Sequence, residues 1–132
     1  MEYVTKPLGA KREDVLKIGE SYGVELPQDL VIWWEESDGA DVYFGYKELQ
    51  FFSVDEILGE DICQLNTYLP SSFPVCMDGN GNICVARIED GQIYGFYVAD
   101  CGDLGWGESK LISKNFIDFV NDNLSPEARL NA

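Results

Sequence analysis

The chain has no histidine among its 132 residues. Cysteine and serine nucleophiles usually draw their general base from an imidazole, so a common catalytic triad is ruled out. Cations are scarce as well: nine Lys and Arg stand against 24 Asp and Glu, a formal charge of −15. A surface of that sign repels nucleic-acid phosphates and anionic membrane leaflets, which argues against both as partners. No run of apolar residues approaches transmembrane length, and the first residues, MEYVTKPLGAKRED, lack the apolar core of a secretory signal. The expectation is therefore a cytoplasmic protein. No pair among Cys63, Cys76, Cys84 and Cys101 has CxxC spacing, so a zinc site would need four scattered thiolates. In a reducing compartment the four read as free, buried, small hydrophobes, and no cofactor is expected.

What is present suffices for a core. A hydrophobic fraction of 45% argues against disorder, and 132 residues suit a single domain over 1–132. The charge is unevenly spread. From Ile18 to Ala86 there are 13 acidic residues and one basic residue, Lys47. That stretch cannot neutralise itself, and it points to one broad negative surface suited to a basic protein partner.

Periodicity predicts a helix over 11–22, where Val15, Ile18 and Tyr22 share a face and Gly23 supplies a stop. Pro27 opens a second helix over 28–37 with Leu30, Trp33 and Trp34 apolar. Val42 to Tyr46 and Leu49 to Phe52 read as a hairpin. Ser53-Val54-Asp55-Glu56 is a capping box that starts a short helix. Residues 59–71 read as loop with one helical turn. Strands follow at 73–77, 83–88, 92–98 and 109–112, and Ser113 caps a last helix over 114–123. Residues after Pro126 read as a frayed tail. Helices do not alternate with strands, so the fold class is α+β: a twisted antiparallel sheet of five or six strands with the terminal helices on one face. Leu26, Leu30, Phe52, Ile57, Val85, Phe116 and Val120 are the expected core.

Asp78, Asn80, Asn82 and Glu89 occupy four positions of an EF-hand calcium loop, but Ile83 stands where that loop needs glycine. The segment reads instead as a β-hairpin turn. A loop over Gly79–Gly81 sets Cys76 opposite Cys84, whereas a turn at Asn80-Gly81 separates them, and the residues do not decide the register.

Leu26-Pro27-Gln28-Asp29-Leu30, the aromatic helix ending at Asp38-Gly39, Leu49 through Ile57, Phe73-Pro74-Val75, the Asp78–Gly81 turn and Phe116 through Val120 together resemble the SUKH superfamily, the Smi-one/Knr-four family, over about residues 10–123. Asp38 stands where that family usually has asparagine, and Asn115 where serine is common. The resemblance implies an α+β fold and a binding function without catalysis. Many bacterial members look like immunity proteins that neutralise toxins, often nucleases, and fungal relatives act as interaction hubs. The leading expectation is an immunity protein that sequesters a basic toxin domain. A regulatory adaptor is the alternative, and a carboxylate-based hydrolase the remote one. Glu35, Glu36 and Asp38 crowd a helix C-terminus that the macrodipole makes unfavourable for them. Adjacent Trp33 and Trp34 cannot both enter the core, so one lies at the rim; with Asp41, and with Trp34 as an apolar anchor if it is the one at the rim, these carboxylates form the expected partner-binding site.

Overall fold

Seven strands follow one another across one antiparallel sheet in chain order, with every neighbour in the sequence also a neighbour in space. They are β1 (Glu2–Thr5), β2 (Ala40–Tyr43), β3 (Glu48–Phe51), β4 (Ser72–Met77), β5 (Asn82–Glu89), β6 (Gln92–Asp100) and β7 (Lys110–Ser113). The helices are α1 (Arg12–Tyr22), α2 (Gln28–Glu36), α3 (Val54–Gly59), α4 (Leu65–Tyr68), α5 (Phe116–Val120) and α6 (Pro126–Leu130). This is a computed structural model, and it describes all 132 residues. The α+β class and the antiparallel meander are as expected, with one strand more. That strand is β1, a four-residue edge with little buried surface and hence little pattern to read.

Local chemistry explains most of the boundaries. Gly23 ends α1 in the left-handed region, φ 66°, and its N–H donates to the Gly19 carbonyl. The Ser53 hydroxyl accepts the Glu56 N–H at 3.1 Å, and the Glu56 carboxylate accepts the Ser53 N–H at 3.0 Å, which completes the capping box of α3. Between β4 and β5 the Asp78 N–H donates to the Asn82 carbonyl and Cys76 lies opposite Cys84. The Asp78 carboxylate accepts from the Asn80 and Asn82 N–H groups and from Asn82 Nδ2, so it braces the turn from within. This is the hairpin reading, and the structure selects the first of its two registers.

Four consecutive residues of β5, Ile83 to Ala86, are fully buried, which requires cover on both faces of the sheet. On one face Phe96 packs on Phe116 and Phe119 of α5, ring centroids 5.6 and 5.2 Å apart, and Phe73 packs on Tyr22 of α1 at 5.5 Å. On the other face Tyr97 meets Trp106 at 5.3 Å. Trp106 lies in the β6–β7 connection, and its indole N–H donates to the Pro70 carbonyl in the α3–β4 connection at 3.2 Å. The same two connections are joined by a Cys63–Cys101 disulfide, Cα atoms 5.7 Å apart. The expectation of four free thiols is thus corrected: Cys76 and Cys84 are free and buried, while Cys63 and Cys101 are bonded. The meander returns the end of β6 beneath the earlier connection, which no spacing along the chain announces. Of the expected core, all but Leu26 is buried, and Leu26 packs partly covered against it.

The C-terminus differs from the sequence reading. Asn115, not Ser113, caps α5, with Oδ1 accepting the Asp118 N–H at 2.9 Å, and the helix stops at Val120. Residues 126–130 are not a frayed tail: Ser125 caps α6, and Arg129 pairs with Asp122 across the intervening turn. Lys47, the one cation between Ile18 and Ala86, is only 6% exposed. Its Nζ donates to the Val120 and Asp122 carbonyls at 2.9 and 2.8 Å, and so covers the C-terminus of α5.

Burial pushes the Lys47 ammonium below its ordinary range, against the pull of Asp122. Between that lowered value and 10.5 the unfolded chain holds the proton more tightly than the folded one, so stability from this group rises with pH. Tyr22, pushed up by burial, works in the opposite direction at the top of that range. Comparing urea unfolding of the wild type and Lys47→Met from pH 8 upward cancels the tyrosine contribution. The wild type should gain on the variant as pH rises, and a constant gap would remove Lys47 as the source.

Candidate protein-interaction surface

The carboxylates singled out at the end of α2 do gather there, but the fold uses them itself. Residues 6–10 run as a strap along the helix C-terminus. The Ala10 N–H donates to the Trp34 carbonyl at 2.9 Å, the Asp38 N–H donates to the Leu8 carbonyl at 3.0 Å, and the Ser37 hydroxyl donates to the Pro7 carbonyl at 3.1 Å. A Cβ on Gly9 would lie 1.7 Å from the Glu35 carbonyl oxygen, so only glycine allows so close an approach. Lys6 Nζ reaches the Glu36 carboxylate at 2.6 Å, and its hydrogen bond holds that carboxyl below its ordinary range. Arg12 Nη2 meets the Glu35 carboxylate at 3.0 Å. Asp38 Oδ1 accepts the Val54 N–H at 2.9 Å, at the start of α3, where the helix dipole favours a negative charge. The conflict with the α2 dipole is therefore resolved by the strap with its Lys6 and by Arg12 at the start of α1.

Trp34 requires a correction. It is not at the rim but 1% exposed, with its indole N–H donating to the Phe52 carbonyl at 2.8 Å. It follows Leu30 by four residues and Val31 by three, the centre of the buried stripe, and so cannot anchor a partner. Asp41, half-buried on β2 opposite Gln50, makes no ion pair.

A second surface was not singled out from sequence. The two connections tied by the disulfide enclose an open cleft of about 540 Å³ lined by Cys63, Gln64, Tyr68, Cys101, Gly102, Asp103 and Leu104. Tyr68 is 52% exposed at its edge. Cys63 and Gln64 are consecutive left-handed residues, φ 53° and 58°, and Ser71 is a third at 64°. Such backbone costs roughly 1–2 kcal/mol per non-glycine residue and persists only where the surroundings fix it. Here the disulfide and the Trp106–Pro70 hydrogen bond do so. Asp61 Oδ1 accepts the Asn66 N–H and Asp100 Oδ1 accepts the Gly102 N–H, so both carboxylates shape the turns. Asp103 in the cleft lining and Glu60, three residues before Cys63 in the chain, have no cationic partner. The available signal was a run of charge: from Glu48 to Ser109 the only basic residue is Arg87.

Neither half of the cysteine set offers a nucleophile. Cys63 and Cys101 are bonded to each other, and burial raises the Cys76 thiol well above its ordinary range.

The strap, the capping box, the 78–82 turn and the α5 helix occur in one order over one stretch, and the model of the SMI1 / KNR4 family (SUKH-1) matches that stretch, residues 9–122. The chain belongs to this family. The match begins at Gly9, where the strap meets α2, and ends at Asp122, so β1 and α6 of this SUKH-1 chain lie outside it. Among curated proteins none matches the chain. No helix of the SUKH-1 fold here is long and apolar enough to cross a membrane.

Proposed function

We propose that the chain is an immunity-type protein that sequesters a basic toxin domain, and that the cleft between the two disulfide-linked connections is the docking face. The observation that supports this most is the charge accounting. Four ion pairs occupy four of the 24 acidic side chains, leaving 20 without a cationic partner. The single cation of residues 18–86 is buried and spent on backbone carbonyls. Self-repulsion of such a surface is relieved by a basic partner, and its field draws that partner in. Family membership favours a protein partner, and the exposed Tyr68 beside the carboxylates adds the aromatic contact typical of binding centres.

Two charge-reversal variants separate this face from the end of α2. Glu60→Lys with Asp103→Lys should slow association with the cognate toxin domain by about tenfold or more at low salt, and the deficit should shrink as salt is added. Glu35→Lys, Glu36→Lys and Asp41→Lys together should have the smaller effect, because two of those carboxylates already face cations. Stopped-flow association at two ionic strengths reads both. Equal rates for the first variant and the wild type at low salt would refute the assignment of the face.

A further inference from the structure

The one cation between Glu48 and Ser109 has an unusual setting. The Arg87 guanidinium lies 4.4 Å from the Trp106 ring centroid, 5.5 Å from Tyr97 and 5.8 Å from Tyr94. Lys114 approaches Tyr94 as well, at 5.4 Å. The four ion pairs of the chain use Lys6, Arg12, Lys17 and Arg129, so neither Arg87 nor Lys114 has a carboxylate partner. No hydrogen bond occupies the guanidinium within the chain either. Of the three arginines, Arg12 and Arg129 meet carboxylates with their guanidinium groups and Arg87 alone does not.

The surroundings are built to hold it. Gly95 sits directly across from Arg87 on β6. A Cβ at Gly95 would fall 2.6 Å from Leu111 Cδ1, so the missing side chain makes room for Leu111 of β7 to lie beside the cation. Tyr94 and Leu111 are exposed at the rim, Tyr97 is buried beneath, and Trp106 is fixed by its bond to Pro70. Stacked on aromatic faces, a guanidinium keeps its N–H edge free and loses little entropy on receiving a planar anion. Trp, Tyr and Arg are also the residue types that dominate binding energy at protein interfaces.

We propose that the Arg87 cage, rimmed by Tyr94, Leu111 and Trp106, is a docking site for a single carboxylate side chain presented by a protein partner. A carboxylate matches the fork with two parallel hydrogen bonds. A net charge of −15 opposes a multiply charged phosphate far more than one carboxylate on a chain that is basic elsewhere. Trp106 belongs to the same β6–β7 connection as Cys101 and Asp103, which line the cleft. A partner with a basic surface and one acidic contact residue satisfies both. The site goes beyond the toxin reading: it holds for any protein partner of that chemistry, and it is tested without one.

The test is a nitrogen-15 NMR titration at fixed ionic strength with three probes: acetyl-Leu-Glu-Leu-amide, the same peptide with glutamine, and inorganic phosphate. The glutamate peptide should shift the Arg87 Nε–H and the Trp106 indole N–H in a saturable way. The glutamine peptide should bind at least about tenfold more weakly, and so should the glutamate peptide to Arg87→Met, which keeps the apolar stem over Trp106. Should Arg87→Met lose the dispersed spectrum of a folded chain, Arg87→Lys serves in its place, with a smaller but definite loss for want of the two-pronged fork. Equal binding of the two peptides would make the cage a merely apolar contact and overturn the proposal. Phosphate binding as tightly as the glutamate peptide, or no saturable shift with that peptide, would overturn it too. None of these results depends on the toxin measurements, so the two readings can fail separately.

Discussion

Trp34→Ala is expected to destabilise the protein by about 3–5 kcal/mol, the range for deleting a fully buried large aromatic. The indole is 1% exposed, packs on Phe51 and Phe116 at 5.8 and 6.0 Å, and donates its N–H to the Phe52 carbonyl. Truncation opens a cavity at the junction of α2, α5 and β3, and leaves a buried carbonyl without its donor. Trp34→Phe fills most of the volume but still orphans that carbonyl, so it should fall between the two. The neighbouring Trp33 is half-buried and also meets Phe51 and Phe116, at 5.1 and 5.7 Å. Trp33→Ala should therefore cost less than Trp34→Ala. Urea unfolding measures all three. Were Trp34 a docking anchor, its variant would lose partner binding at unchanged stability, and that result would contradict the packing described above.

Removing the disulfide is the second large effect. Cys63 and Cys101 are 38 residues apart in sequence. Closing a loop of that length restricts the unfolded chain by about 4 kcal/mol in the chain-entropy account. Cys63→Ser with Cys101→Ser should lower the unfolding free energy by about that amount as an upper bound, since unfolded chains keep some structure. A reductant should lower the urea midpoint of the wild type and leave that of the double variant where it is. The bond also holds the two left-handed residues of the cleft, so the double variant should bind a basic partner more weakly even where it is fully folded. Coincident midpoints for wild type, with and without reductant, and the double variant would show that the bridge adds nothing to the fold.

Much of this was written locally. The helical stripe of Val15 and Ile18, the Ser53–Glu56 capping box and the strands flanking Asp78–Asn82 each depend on residues within about four positions of one another. Elements of that kind carry their own pattern. β1 was missed because four residues are too few to show alternation and its partner β2 lies far along the chain; α6 was missed although a local signal was present, Ser125 as cap before Pro126 at the first helical position. Trp34 was misplaced for a related reason. Two adjacent tryptophans present the same chemistry, and only packing against Phe52 and Phe116 decides which of them is enclosed.

The sequence by itself determined the fold class, the sign and breadth of the surface charge, and the family resemblance, because composition and short-range periodicity suffice for these. Tertiary structure alone decided how the charges are used. It sent Lys6 and Arg12 to the carboxylates at the end of α2, buried Lys47 against α5, and brought Cys63 to Cys101 across 38 residues. It also set Arg87 among three aromatic rings drawn from β6 and the β6–β7 connection. The Lys6 and Arg12 ion pairs, the Lys47 bonds to α5 and the disulfide are contacts between residues far apart in the chain. Their distances follow from how the meander closes, and no pattern along the chain encodes them.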